Sequence, residues 1–137
     1  MKFAEIQKEA VKKYNIILCD GTKCDGTKCP HAWRRTHSCN MERKIYKWDF
    51  KDSAKATLDL FHEIGHQETH TKKMRRCESE YVATVWAIDR LREYGILDKV
   101  SDKQKELYQN YIYNELDRGI RRGGKGYPTR QELTLNW

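Results

Sequence analysis

Long apolar runs are missing from this chain. Ile16 to Cys19 is as long a run as it contains, whereas a membrane-crossing helix needs ~18 or more apolar residues. Met1, Lys2, Phe3, Ala4 and Glu5 open the chain with charge where a signal peptide turns apolar, so no membrane partner and a cytoplasmic location are expected. Proline (2) and phenylalanine (3) are scarce, and apolar residues make up only 38% of the 137 positions, against about 45–50% in an ordinary domain. Material for a second core is lacking, so residues 1–137 are read as one domain and a large multidomain machine is excluded. Acidic residues are also few, 20 against 27 Lys and Arg, a net charge of +7. That balance favours polyanionic partners without specifying any chemistry.

What is present is charge, aromatic bulk and cysteine. The 8 Tyr and 4 Trp can anchor a small core, while the 5 Cys are an odd number in a chain without a secretion signal. Reduced thiols or metal ligation are therefore favoured over a disulfide framework.

Phe3, Ile6, Ala10, Val11 and Tyr14 recur at three- and four-residue spacing and predict an amphipathic helix closed by Asn15. A short buried strand is expected at Ile16–Leu18 and a second at Lys44–Phe50. Between them, residues 19–39 form a loop-rich insert in which Cys-Asp-Gly-Thr-Lys occurs twice in succession. Asp52 or Ser53 can cap a helix from Ala54 to about His70, with Leu58, Phe61 and Ile64 on one face. A basic connector at Lys72–Arg76 leads to a helix over about Glu78–Tyr94, stopped by Gly95, and Ser101 opens another reaching about Arg118. The basic, Gly-rich tail 118–137 should be mobile unless Tyr127, Leu133 and Trp137 dock it. The predicted class is α+β, mostly helical, with a small sheet.

The sharpest chemical signal is His62-Glu63-Ile64-Gly65-His66, which satisfies H-E-x-x-H inside a segment read as helical on other grounds. Residues four apart share a helix face, so His62 and His66 can both aim imidazole nitrogens at one zinc ion. Glu63, one residue on, stands where a general base is needed to take a proton from a zinc-activated water and return it to a leaving amine. That chemistry is peptide-bond hydrolysis.

Two His leave a catalytic zinc short of its usual third protein ligand. His70 lies ~12 Å along the helix from His62, too far to share an ion unless the helix breaks. Glu78 and Glu80 open the following helix, which can pack antiparallel to the first, and either can supply the ligand. Glu80-Tyr81-Val82-Ala83-Thr84 resembles the E-[YF]-x-A-[DN] element of gluzincin-type zinc peptidases, including HtpX-like proteases and the ImmA/IrrE and ArdC-like groups. Thr84 stands where that element carries Asp or Asn, a residue that orients a ligand. From Phe61 onward the chain is similar to short metallopeptidases carried by phages and mobile elements. The resemblance implies a minimal zincin-like domain with Glu80 as third ligand. An oxyanion donor is also needed, and His70, Tyr81, Tyr108 and Tyr111 are available.

Cys19, Cys24, Cys29, His31, His37 and Cys39 gather six soft ligands in the insert, enough for a second, structural zinc, although their spacing departs from tight C-x₂-C knuckles. Cys77 sits apart and reads as a small buried residue, with a fourth-ligand role as its alternative. Lys72, Lys73, Arg75 and Arg76, the tail cations Arg118, Arg121, Arg122, Lys125 and Arg130, and Trp33, Arg34 and Arg35 sustain a rival reading. In it the chain is a zinc-stabilised nucleic-acid-binding module whose H-E-x-x-H site is not catalytic. A combined reading brings a peptidase to a DNA-bound protein. Glu63 separates these, because a structural zinc helix has no use for an ionisable group beside the metal.

Overall fold

The structure is a computed structural model describing residues 2–19, 37–39, 44–46, 48–71 and 73–137. Helix α1 (Phe3–Lys13) is followed by three short strands, β1 (Ile17–Cys19), β2 (His37–Cys39) and β3 (Lys44–Tyr46). Helices α2 (Ala54–Thr69), α3 (Arg76–Glu93) and α4 (Asp102–Arg121) complete a helix-dominated α+β architecture. Single 3₁₀ turns lie at Leu97–Lys99 and Gln131–Leu133. The sheet has the order β1-β3-β2, with Leu18 opposite Ile45 in the parallel pair and Ser38 opposite Ile45 in the antiparallel one. No helix among the described residues is long and apolar enough to cross a membrane.

Helix boundaries follow local chemistry. Asn15 takes φ 54°, a left-handed conformation that asparagine tolerates, and ends α1 as expected. The Ser53 hydroxyl accepts from the Ala56 amide at 3.1 Å and opens α2. Gly95 at φ 70° closes α3, and the Ile96 amide reaches back to the Leu91 carbonyl at 3.0 Å. α3 begins at Arg76, two residues before its expected start, and α4 runs on to Arg121 through Gly119. That glycine is tolerated because the Tyr127 ring occupies the space of its missing side chain, with ring atoms 2.6 Å from where a Cβ would lie.

The strand expected over Lys44–Phe50 ends at Tyr46, and the one expected at Ile16–Leu18 lies at Ile17–Cys19. Residues 48–51 are drawn onto α1 instead of pairing. The buried Gln7 amide donates to the Lys51 carbonyl at 2.8 Å and to Thr57 Oγ1 at 3.0 Å, and Trp48 Nε1 donates to Gln7 Oε1 at 3.3 Å. Phe50 then turns at φ 51°, which no strand residue adopts. These bonds satisfy an amide that would be costly to bury unpaired.

One core cluster joins Ile6, Ala10, Ile45, Leu58, Phe61, Ile64 and Leu91. A second, around Cys77, Ile88, Ile112 and Leu116, is completed by Leu133 and Leu135 from the tail. The tail is therefore docked. Gln109 Nε2 donates to the Leu133 carbonyl at 2.9 Å, Gln109 Oε1 accepts from the Leu135 amide at 2.6 Å, and Arg130 pairs with Asp117 at 2.8 Å.

Of the six candidate insert ligands, Cys24, Cys29 and His31 lie outside the described residues, as do the side chains of Cys19, His37 and Cys39. Trp33, Arg34, Arg35 and Lys72 lie outside them too.

Candidate metal centre

The site stands where α2 and α3 come closest. The pairings His62 with Thr84 and His66 with Ser79 run in opposite chain directions, so the helices are antiparallel. Gly65 makes the approach feasible, because a Cβ there would lie 2.6 Å from the Ala83 carbonyl oxygen. Backbone contact of this kind holds the two faces in fixed register.

Within that crossing three side-chain atoms converge. His62 Nε2 and His66 Nε2 are each 3.0 Å from Glu80 Oε2 and 3.1 Å from each other. His62 and Glu80 are buried, at 8% and 7% exposure, in a protein surface otherwise crowded with charge. Three ligands held around one zinc at about 2.0–2.1 Å with tetrahedral angles stand roughly 3.3 Å apart, so the observed triangle is close to that span. His62, His66 and Glu80 are thus near enough to share a metal ion.

The far sides of the rings set their tautomers. Thr84 Oγ1 donates its only proton to the Glu80 carbonyl at 2.7 Å, so the same oxygen must accept from His62 Nδ1, 3.0 Å away. His62 therefore carries its proton on Nδ1 and turns a bare lone pair on Nε2 toward the triangle. His66 Nδ1 stands 3.3 Å from Ser79 Oγ, an oxygen able to accept its proton in the same way. Two imidazole lone pairs and a carboxylate then face one another in a buried space. Such an arrangement demands a cation, either a proton or a metal.

The electrostatics carry the same signature. Burial works to raise the Glu80 pKa, but once the imidazoles are protonated their hydrogen bonds and charge overcome it and bring the carboxyl down to about 2. Burial opposes charge on His66, yet the hydrogen bond to Glu80 and the negative charges of Glu80 and Glu63 outweigh it and raise its pKa. Glu63 is half-buried on α2, one residue on from His62, and its charge contributes to raising the pKa of His66 and of the Tyr108 hydroxyl.

Of the four candidate oxyanion donors only Tyr108 adjoins the triad. Its ring meets His62 edge-on at 5.3 Å, and its hydroxyl donates to Asp59. Burial, then the Asp59 charge, push that hydroxyl well above the ordinary tyrosine value. His70 is exposed at the end of α2, Tyr81 packs into the second core cluster, and Tyr111, 40% exposed, lies beside Arg76. Glu78 is not part of the triangle. Cys77 is 1% exposed within the second core cluster, where burial raises its thiol pKa, and it is not a fourth member.

Ser79 and Asp59 were not singled out from the sequence, and Thr84 was seen there only as a partial replacement for an orienting Asp or Asn. Their spacing carried a signal: Thr84 follows Glu80 by one helical turn, and Asp59 precedes His62 and Glu63 by the same interval, so each shares a face with its neighbour.

No family model matches the chain, and no curated protein or solved structure matches it.

Proposed function

We propose that this chain is a zinc-dependent peptidase of gluzincin type on a minimal zincin-like domain, with His62, His66 and Glu80 holding the ion and Glu63 as general base. The observation that carries the reading is the convergence of two Nε2 lone pairs on the Glu80 carboxylate, with Thr84 and Ser79 behind the rings. Among the described residues no fourth His, Cys, Asp or Glu joins the group. Three protein ligands with a side left for substrate suit a catalytic site better than a structural one.

Zinc bound there supplies Lewis acidity, polarising the scissile carbonyl and bringing the pKa of water to about 7. Glu63 accepts the proton of the attacking water and delivers it to the nitrogen of the departing amine, so it ends the cycle ionised as it began. Thr84 fixes the ring of His62 through Nδ1, and Glu80 bridges both imidazoles, holding the ligand set before substrate arrives. Tyr108, edge-on to His62, is the candidate among the four donors whose ring packs on a ligand, and its hydroxyl would stabilise a developing oxyanion.

Two measurements test the reading. Native mass spectrometry of protein purified without a metal-binding tag should show zinc that disappears in His62→Ala. Glu63→Gln should keep the zinc while peptide hydrolysis falls by about 10²–10⁴-fold, the usual worth of a general base. A chain that binds no zinc through His62, or hydrolyses peptides undiminished without Glu63, is not this enzyme. The rival nucleic-acid module has zinc at the same residues and no dependence on Glu63.

A further inference from the structure

Between the N-terminal end of α3 and the C-terminal part of α4 lies a cleft of about 360 Å³. Arg76, Arg118 and Arg122 line it, Glu115 forms part of its base, and the Tyr127 ring is one wall. The wall is built rather than incidental. Tyr127 lies on Gly119 and Gly124, where a Cβ would come within 2.6 and 2.1 Å of ring atoms. Arg75 covers its other face with the guanidinium 4.2 Å from the ring centre, and donates to the carbonyls of Lys125 and Gly126 at 2.6 and 2.5 Å.

Charge in the cleft does not cancel. Glu115, only 6% exposed in its side chain, is shared by Arg118 at 3.3 Å and Arg76 at 3.6 Å. Arg122 makes no ion pair among the described residues, so three cations face one carboxylate. Arg76 also links the cleft to the metal centre, since it lies one helical turn before Glu80 and its charge is felt at both Glu80 and His66.

We infer that this cleft is a substrate subsite for a carboxylate, so that the site's substrates are peptides carrying an acidic side chain. The inference rests on the peptidase reading for what the peptide is used for, but not for the binding itself. A peptide carboxylate fits better than a nucleic-acid backbone. The excess charge is two, gathered in one cleft bounded by the Tyr127 side chain, which suits a single carboxylate rather than a run of phosphates. Arginine presents a planar pair of donors that matches a carboxylate.

The test uses the metal-free full chain, so that binding is measured without turnover. The probes are acetyl-Ala-Ala-Glu-Ala-Ala-amide, the same peptide with Gln in place of Glu, and a twelve-nucleotide single-stranded DNA, titrated calorimetrically at low salt. The Glu peptide should bind about tenfold more tightly than the Gln peptide. Arg118→Gln/Arg122→Gln should abolish that preference. Arg122→Glu, which leaves both partners of Glu115 in place and so spares the fold, should cut it at least threefold. Equal binding of the two peptides, or a preference that survives in both variants, overturns the subsite. DNA binding tighter than the Glu peptide and lost in the same variants overturns it in favour of a nucleic-acid surface. Glu preference in a chain that fails to bind zinc would leave the subsite standing and remove the peptidase. Zinc-dependent hydrolysis indifferent to acidic residues would do the reverse.

Discussion

The Thr84 hydroxyl stands 3.0 Å from His62 Nδ1 with its own proton committed to a backbone carbonyl, so a threonine fixes the tautomer of a buried imidazole. Threonine accepts from the ring only because the helical turn behind it takes its hydrogen.

Replacing Thr84 with Val keeps the shape and removes the acceptor. His62 Nδ1–H is then buried unpaired, or the proton moves to Nε2 and blocks the metal. Zinc affinity, read by competition with a chelating dye, should fall about 10–100-fold. Metal-free stability should drop by ~1–3 kcal/mol. An unchanged affinity would show that ring orientation is set elsewhere.

Gly65→Ala places a methyl group where the Ala83 carbonyl already is. The contact is backbone, so the helices must separate, and overpacking of this kind costs about 1–3 kcal/mol. The melting temperature should fall by roughly 6 °C, and zinc affinity should fall with it, because His62 and His66 flank the displaced residue. Loss of stability with full zinc affinity would mean that the ligands do not depend on the register of α2 against α3.

Metal-free protein should have a stability optimum set in part by His66 and Glu80. Glu80, held at about 2 against 4.5 in an unfolded chain, contributes stability present above about pH 4.5 and lost as pH falls toward 2. His66, raised from 6.5, contributes stability that is whole below pH 6.5 and is lost as pH rises through its folded value. Melts of chelator-treated protein should therefore favour about pH 5.5 over both about pH 3 and about pH 8. Glu80→Gln should flatten both limbs. Added zinc should remove the alkaline loss, since it binds the deprotonated ring.

Tyr108→Phe keeps the ring against His62 and deletes the hydroxyl. Zinc content should be unchanged, and kcat should fall about 10²-fold with little change in KM if the hydroxyl serves the developing oxyanion. Equal kcat in the two proteins would assign Tyr108 to packing and to Asp59 alone.

Much of this arrangement was legible in the sequence because it is local. The helical period around Leu58, Phe61 and Ile64 placed His62, Glu63 and His66 on one element, and Ser53 and Gly95 marked true ends. Glu78 and Glu80 were both reachable because the segment after His66 is short enough to return antiparallel, and only the resemblance of Glu80–Thr84 to a gluzincin element implied Glu80. Less legible was whatever depends on partners distant in the chain. The early end of β3 follows from Gln7, more than 40 residues away, gripping the Lys51 carbonyl and Trp48. Choosing Tyr108 among the four candidate donors required knowing which face of α4 meets α2. Thr84 read as a departure from a pattern until the Glu80 carbonyl was seen to take its proton.

The docking of residues 133–137 has a consequence for biosynthesis. Leu133 and Leu135 fill the second core cluster, and Trp137 packs at 6.4 Å against Tyr108, which in turn backs His62. The helix pair that carries His62, His66 and Glu80 is thus translated long before its support exists. On the ribosome, α2 and α3 emerge with Tyr108 unbraced, and the site gains its full surroundings only after Trp137 has left the exit tunnel.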